Sequence, residues 1–382
     1  MTRRLIGQLH LWLGLALCAP LVLLGLTGSV LVFEDELRAV FASGPAAQPG
    51  EPRSVGEIVA AARAAAPQGF APSGYVAPEA TGRLAAVRLS PMGAPPGPGE
   101  VIRIDVDPVS LATYPNASND FLRQVFFLHS TLLMKNRTGR QLVGWLGVAM
   151  LLMAASGLVN WWPRRGTWVA AIRVSADAHG FRLWRELHGM AGFWGFAVLG
   201  IVSLAGVDLA FPDTVRSILG IILPARDLRA AASAKVQPVK GTEPLGIDDA
   251  VGLARAGVPG ARLSMVFLPS RPDQPYRIAL QRAGEEPPAT PVTVVVDPWA
   301  RRVVETLDPR QFNAGETLLA AQHSLHAGRG FGPLWTALVF LCGLLPALLA
   351  ATGIAMWLKR RRPGAAVIRM IDQPQTARRA GE

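Results

Sequence analysis

Charged residues and cysteines are both scarce in this sequence. Only 17% of its 382 residues are Asp, Glu, Lys or Arg, against about 25% in an average soluble domain. The two cysteines, Cys18 and Cys342, lie within apolar runs and form no Cys-x-x-Cys motif, so neither a disulfide framework nor thiol redox chemistry is expected. Half of the residues are hydrophobic, which excludes a disordered chain and indicates a membrane protein.

Several motifs of soluble enzymes are also absent. The sequence has no phosphate-binding glycine loop, no nucleophile elbow and no His-Glu-x-x-His zinc motif. It lacks the glycine fingerprint of dinucleotide-binding domains as well. No catalytic residue can therefore be assigned from motifs.

The positive charge is concentrated in three short segments. The net charge is +11, and residues 1–10, 163–187 and 359–382 together hold fourteen Lys or Arg against four Asp or Glu. Each segment adjoins a long apolar run, a distribution that places these segments on the cytoplasmic side of a membrane. A nucleic-acid-binding protein would carry a basic face on a folded domain, so no nucleic-acid partner is expected.

Four apolar runs are long enough to cross a bilayer, which takes about 20 residues. They lie at Leu11–Phe33, Leu142–Trp162, Met190–Phe211 and Leu334–Leu358. With the basic segments inside, this pattern predicts an α-helical multi-pass protein in contact with membrane lipid, with both termini in the cytoplasm. The predicted segments are an N-terminus and first membrane helix at 1–33, a first outer domain with an interfacial helix at 34–141, a second membrane helix at 142–162, a cytoplasmic loop at 163–189, a third membrane helix at 190–211, a second outer domain at 212–333, a fourth membrane helix at 334–358 and a basic cytoplasmic tail at 359–382.

Each outer segment has the pattern of a small α+β domain. A helix is predicted first, at Ser54–Ala66 and at Ile247–Ala256, and runs with the alternation of strands follow. The predicted strands are Leu84–Leu89, Val101–Val106, Leu263–Leu268, Tyr276–Leu280 and Val292–Val296. The last predicted strand of each segment reaches a similar Asp-Pro turn, at 107–108 and at 297–298.

The two halves of the chain also resemble each other. Gln-Leu-His at 8–10 begins the first membrane helix and Glu-Leu-His at 186–188 begins the third, and each histidine is followed 23 residues later by a phenylalanine. Ser-Gly-Leu at 156–158 in the second helix corresponds to Thr-Gly-Ile at 352–354 in the fourth. The unit of helix, outer domain and helix is thus predicted twice in the same orientation, and such parallel repeats are related by an axis along the membrane normal.

Four of the six histidines fall at matching places in these repeats. His10 and His188 stand at the cytoplasmic ends of membrane helices one and three, and His129 and His326 precede helices two and four at the outer face. One symmetric pair at each face suggests two b-type haems, each with one axial imidazole from each repeat, which favours electron transfer over oxygen chemistry. The open alternative is that these histidines are ordinary interfacial residues.

The position of His129 requires a break in the chain before the second membrane helix. A straight helix from His129 to Trp162 would be about 50 Å long at 1.5 Å per residue, so Lys135–Arg140 is predicted to interrupt it and Asn119–Met134 to form an interfacial helix. Gly328–Pro333 is predicted to do the same before the fourth helix.

The remaining two histidines are weaker candidates. His323 shares a helix face with His326, so these two could instead chelate a metal together, and His323 is the lower-ranked alternative ligand. His179 has no counterpart in the other repeat and is expected to be exposed.

Taken in order, the motifs resemble a known family. They are LHLWLGLALCAPLVLLGLTGSVLVF at 9–33, the Asp-Pro-ended outer domains, LHSTLL at 128–133, SGLVNWWPRR at 156–165, LHAGRGFG at 325–332 and TGIAMWLKRR at 352–361. Nearly the whole chain is similar to the PepSY-associated transmembrane family, often called iron-regulated membrane proteins. The resemblance implies PepSY domains in the periplasm and a location in the bacterial inner membrane. One departure is Leu11, because family members commonly have a basic residue between His10 and Trp12.

The resemblance also implies a function. Some family members are siderophore reductases that carry electrons through two haems to a ferric siderophore in the periplasm, and His10, His188, His129 and His326 fall where the family's membrane-edge histidines fall. An oxidoreductase of this type would take electrons from a cytoplasmic or quinol donor and pass them to a ferric siderophore or similar acceptor during iron uptake. Two alternatives stay open: a haem-free PepSY scaffold that binds or regulates a periplasmic partner, and a metal permease, although the apolar runs lack the central ionisable residues of transport pathways.

Overall fold

The structure is a computed structural model that describes most of the chain. The described residues are 2–41, 45–78, 80, 82–93, 100–115, 120–134, 137–285 and 289–361. The predicted basic tail from residue 362 onwards lies outside them. The α-helices are α1 Thr2–Val32, α2 Glu34–Phe41, α3 Val55–Ala64, α4 Asp120–Thr131, α5 Arg137–Trp161, α6 Trp168–Ala171, α7 Gly180–Ala210, α8 Pro212–Leu219, α9 Leu228–Ala232, α10 Ile247–Gly257, α11 Ala314–Ala327 and α12 Gly332–Arg361. The strands are β1 Phe70–Val76, β2 Ala85–Pro91, β3 Ile102–Val106, β4 Thr113–Pro115, β5 Arg262–Phe267, β6 Tyr276–Gln281, β7 Val292–Asp297 and β8 Arg302–Leu307.

Four helices are long and apolar enough to cross a membrane, namely α1, α5, α7 and α12, with 25 to 31 residues each. This confirms the four predicted membrane helices but not their starting points. The first begins at Thr2 instead of Leu11, and the third begins at Gly180 instead of Met190. An apolar run marks only the part of a helix that lipid requires, whereas the backbone continues its hydrogen bonds through flanking polar residues.

The chain is interrupted before α5 and before α12, but the predicted breaks extend too far. After α4, Leu132 and Leu133 adopt left-handed backbone angles, with φ of 52° and 61°. Of the predicted break Lys135–Arg140, residues 135 and 136 are outside the described part and residues 137–140 already belong to α5. Gly332 and Pro333 of the second predicted break likewise belong to α12. After α11, Gly328 caps the helix with φ of 75°. The histidines of α4 and α11 therefore lie on short helices of their own rather than on the membrane helices that follow.

The eight strands form one antiparallel sheet in the order β4-β3-β2-β1-β5-β6-β7-β8. The first outer segment contributes β1 to β4 and the second contributes β5 to β8. The segments join where β1 pairs with β5, from Gly74 opposite Phe267 to Val76 opposite Met265. Two segments that the sequence treats as separate domains thus share one sheet, because each covers the strand edge that the other would expose.

Helices α3 and α10 lie against the same core of this sheet. Ser54 and Glu57 form a reciprocal capping box that starts α3, as Ser and Glu at this spacing favour. A single apolar cluster includes residues of both helices and of strands from both segments: Ile58, Ala62, Val87, Leu89, Ile104, Val106, Ala250, Val251, Ala254, Ile278, Leu280, Val292 and Val294. One core therefore serves both outer segments.

Three strands escape prediction from the sequence. β1 contains Pro72 and Gly74 with a bulge between them, and both residue types are unusual inside strands. β4 and β8 each follow an Asp-Pro turn, so these turns lie within hairpins instead of closing the domains. Asp107 and Asp297 hold the turns by accepting hydrogen bonds from backbone N–H groups two and three residues ahead.

The chain divides into two compact units. The four-helix unit takes the chain up to Leu26, Ala149–Gly200 and the part from Leu341 onwards. The sheet unit takes Thr27–Val148 and Ile201–Phe340, and so contains the sheet, α4, α11 and the remaining portions of the long helices.

Candidate functional site

The four histidines at matching positions come together as two pairs. In the four-helix unit, the rings of His10 on α1 and His188 on α7 have centres 6.2 Å apart. In the sheet unit, the rings of His129 on α4 and His326 on α11 have centres 5.8 Å apart. All four side chains are half-buried. Each pair thus combines one histidine from each half of the chain.

Hydroxyl groups orient both rings of the His10–His188 pair. Nδ1 of His10 lies 2.9 Å from Oγ of Ser156, and Nδ1 of His188 lies 2.9 Å from Oγ1 of Thr352. Each hydroxyl donates its own hydrogen to a backbone carbonyl, of Met153 and of Leu348 respectively. The hydroxyls therefore accept from Nδ1–H, and this tautomer leaves the lone pair of each Nε2 able to bind a metal ion.

The His129–His326 pair is oriented by one hydroxyl and one carbonyl. Nδ1 of His129 lies 3.1 Å from Oγ1 of Thr27, while Nδ1 of His326 donates to the backbone oxygen of Val202 at 2.8 Å. Because a carbonyl can only accept, Nδ1 of His326 carries the hydrogen and its Nε2 carries the lone pair. Burial also lowers the pKa of His326, which keeps this imidazole neutral, the form that binds metals.

A glycine faces each of the four rings. A Cβ atom built on the glycine would lie 3.2 Å from Cε1 of His10 at Gly157, 3.6 Å from that of His188 at Gly353, 3.0 Å from that of His129 at Gly28 and 2.9 Å from that of His326 at Gly206. Contacts under 3.0 Å do not occur between real Cβ atoms and their neighbours, and those up to 3.4 Å are crowded. The glycines thus leave room for the rings, and three of the four positions would crowd a ring if they carried a side chain.

The spacing of the rings suits a metal ion held between them. Two imidazoles that bind one ion from opposite sides have ring centres about 6 Å apart, because each metal–nitrogen bond is about 2.0 Å long. Two protein ligands are too few for an ion such as zinc, which takes four, and the described residues hold no group of three or more His, Cys, Asp or Glu able to bind a metal ion. A haem supplies four ligands itself and needs only two axial ones, so the donor set of each pair fits haem.

The other two histidines do not belong to these pairs. His323 is exposed on α11, three residues before His326. His179 is also exposed, and its Nδ1 lies 2.9 Å from the backbone oxygen of Asp177.

The sequence analysis missed the groups that surround the histidines. A signal for them exists, since the dipeptides at the four ring contacts are Thr27-Gly28, Ser156-Gly157, Thr352-Gly353 and Ala205-Gly206. Two of them marked the internal similarity without being assigned a role. The role of each dipeptide depends on which histidine ring lies opposite it, and the sequence alone does not show that contact.

Asp208 is a further polar residue of the sheet unit. It lies near the end of α7, is buried to 5% exposure, and its Oδ1 has no hydrogen-bond partner among the described residues. It lines a cleft that also includes Arg216, Arg226 and Arg229.

Comparison with known proteins identifies the family. Residues 8–360 match the family model described as the PepSY-associated TM region. No curated protein sequence matches the chain. The match covers nearly the whole chain and includes all four apolar helices, so the protein is an integral membrane protein that belongs to the PepSY-associated TM region family.

Proposed function

We propose that this membrane protein binds two b-type haems, one through His10 and His188 and one through His129 and His326, and that it carries electrons across the inner membrane to a ferric siderophore or similar ferric chelate. The observation that carries the proposal is the double pairing: two pairs of imidazoles stand at 6.2 Å and 5.8 Å between ring centres. Each pair joins the two halves of the chain at about the spacing that two imidazoles binding one ion would have.

The surroundings of each ring support this assignment. Ser156, Thr352 and the carbonyl of Val202 accept from Nδ1–H, which fixes the tautomer and raises the basicity of the opposite nitrogen. A bis-imidazole haem exchanges single electrons and has no open coordination position for oxygen chemistry. The protein's own contribution is to hold the rings in place.

No motif in the sequence identifies the electron donor or the electron acceptor, so we propose both from chemistry. The sequence has no dinucleotide fingerprint, so the donor would be a cytoplasmic protein or a lipid quinol. On the acceptor side, oxygen ligands hold Fe(II) more weakly than Fe(III), so reduction helps iron to leave its chelator. No catalytic residue is assigned for this final transfer.

A haem-to-protein ratio with an optical spectrum tests the proposal. Protein purified from haem-replete cells is expected to contain two haems per chain with the bands of low-spin b haem. A colourless preparation would contradict it and would favour the haem-free scaffold, whose PepSY part binds or regulates a periplasmic partner.

The direction of transfer depends on the topology, which we propose from the arginine distribution. Both termini would be cytoplasmic and the sheet periplasmic. A reporter active only in the periplasm should work when fused after Pro91 or Gln281 and fail after Thr167. The opposite pattern would reverse the proposed direction of electron flow.

A further inference from the structure

A row of arginines crosses the sheet between its two halves. Successive strand pairings place one residue of each strand in line, so that their side chains share one face of the sheet. In the order of the strands β3, β2, β1, β5 and β6, these residues are Arg103, Arg88, Gly74, Phe267 and Arg277. We call this line the arginine row.

The arginine row lies on the face opposite the core. The residues on either side of Arg88, Val87 and Leu89, belong to the apolar cluster under α3 and α10, and successive side chains of a strand point to opposite faces. The same holds for Ile102 and Ile104 beside Arg103. Arg88 and Arg103 are exposed, and Phe267 and Arg277 are half-buried.

The row places like charges side by side. Arg88 is directly opposite Arg103, an arrangement that destabilises a sheet. Arg103 is compensated by Asp105 at 2.7 Å, but none of the ion pairs among the described residues involves Arg88 or Arg277. An uncompensated cation held next to another one indicates a place for an anion.

The centre of the arginine row contains a glycine and an aromatic ring as well as charged groups. Gly74 has no side chain, and a Cβ there would lie 3.9 Å from Cβ and Cδ of Arg88. On its other side the guanidinium of Arg277 lies 4.3 Å from the centre of the Phe267 ring, which fixes the guanidinium in place through a cation–π contact. Arg88 and the Arg277–Phe267 pair thus lie on either side of Gly74 in the row.

We propose that the arginine row binds the anionic acceptor, and that the preferred class is a ferric tris-catecholate rather than a ferric tris-hydroxamate. This rests on the proposed function for the role of the ligand as acceptor. Six phenolate oxygens around Fe(III) leave a trianion with flat aromatic faces, whereas three hydroxamates leave a neutral complex. Guanidinium groups pair with such oxygens and stack on such rings.

Binding can be measured without electron transfer by replacing iron with gallium. Ga(III) has the charge and coordination of Fe(III) but is not reduced, so a gallium tris-catecholate and a gallium tris-hydroxamate serve as probes for the full chain in detergent. Equilibrium dialysis is expected to show the catecholate complex bound at least about tenfold more tightly, since a hydrogen bond to a charged group contributes about that factor. Its affinity should fall as salt is added.

Variants then locate the site. Arg88→Gln and Arg277→Gln should each weaken catecholate binding about tenfold and leave hydroxamate binding unchanged. Arg255→Gln makes the same charge change on α10, away from the row, and should have no effect. Equal affinity for both complexes, or unchanged catecholate binding in both row variants, would overturn the proposal. Thermal unfolding of each variant shows whether it is folded.

The gallium-binding test of the arginine row can be distinguished from the haem test of the proposed function. His129→Ala, which should lack one haem, is expected to bind the gallium catecholate as the unchanged protein does. A colourless protein that still binds the complex through Arg88 would refute the haem proposal and keep the site. A two-haem protein that binds neither gallium complex would refute only the site.

Discussion

The two histidine pairs have nearly the same spacing between their rings, but different groups orient those rings. In the His10–His188 pair both histidines are on membrane helices, and both rings donate to hydroxyl groups. In the His129–His326 pair both histidines are on the short helices α4 and α11. One of these rings meets Thr27, but at the matching place in α7 stands Ala205, and the backbone of Val202 accepts instead. The ring orientation is therefore kept while the group that enforces it changes.

This difference determines which substitutions should displace the rings of each pair. A ring on a membrane helix is positioned by that helix, whereas a ring on α11 depends on what anchors α11. The main anchor is Glu316, buried to 1% exposure, which forms the capping box with Asn313 and accepts from Nε of Arg226 at 2.6 Å. The His129–His326 pair should therefore be sensitive to changes outside the pair, and the His10–His188 pair to changes within the membrane helices.

The largest expected effect comes from removing a histidine. His10→Ala and His188→Ala should each remove the same haem, and His129→Ala and His326→Ala the other, because an iron with one protein ligand is held too weakly. The haem-to-protein ratio should fall from two to one in every case. Electron paramagnetic resonance of the remaining haem should give one signal for His10→Ala and His188→Ala and a different signal for His129→Ala and His326→Ala.

His323→Ala is the matched control for this series, because it changes a histidine three residues from His326 and should leave two haems. If His323→Ala lost the haem and His326→Ala kept it, the ligand assignment on α11 would be wrong. The double variant His10→Ala with His129→Ala should be no worse in chelate reduction than either single variant, because groups that act as one unit are not additive.

Alanine in place of the facing glycines should rank next. Gly206→Ala puts a Cβ 2.9 Å from the ring of His326, whereas Gly353→Ala puts one 3.6 Å from the ring of His188. The first should cost about 2 kcal/mol of haem binding through overpacking, and the second should cost little. Gly28→Ala and Gly157→Ala should fall between them. Equal occupancy in all four variants would mean that the glycines have no role in placing the rings.

Loss of a hydroxyl should weaken binding without abolishing it. Thr352→Val keeps the shape of the side chain but removes the acceptor for Nδ1–H of His188, so haem affinity should fall about tenfold. Transfer of haem to a scavenger protein measures the effect, and Thr352→Ser is the control that keeps the acceptor. Ala205→Thr should change little in the second pair, because Val202 already accepts there.

The smallest expected effect is the loss of stability when Glu316 is protonated at low pH. The hydrogen bond from Arg226 holds the pKa of Glu316 below its ordinary value of 4.5, so the stabilisation is complete above that value and is lost as the pH falls through the lowered pKa. The haem of the His129–His326 pair should therefore be lost before that of the His10–His188 pair as the pH falls. Calorimetry should show a melting temperature about 3 °C lower for Glu316→Gln.

Glu285→Gln is the control for this last prediction. It removes an exposed ion pair with Arg310, and such pairs contribute little. If both haems were lost together as the pH falls, the anchoring role of Glu316 would be refuted.

Prediction from the sequence works where a local pattern is enough. The membrane helices follow from the length of the apolar runs, and the breaks before α5 and α12 follow from the polar and glycine-rich stretches. Five of the eight strands follow from alternation. β1 could not be predicted, because Pro72 and Gly74 make it look like a loop and its partner β5 is far away in the chain. The roles of Gly206 and Thr352 depend on which ring lies opposite, and no local pattern contains that information.

The seam between β1 and β5 has a consequence for biosynthesis. β1 ends at Val76 and β5 begins at Arg262, so the ribosome must make the second and third membrane helices before the seam can close. At typical synthesis rates of about 5 to 20 residues per second, the edge of β1 waits for about 10 to 40 s. An open strand edge invites pairing with other chains. Pro72, Gly74 and the bulge between them make β1 a poor template during that interval, and we expect the same features to limit aggregation of the nascent protein.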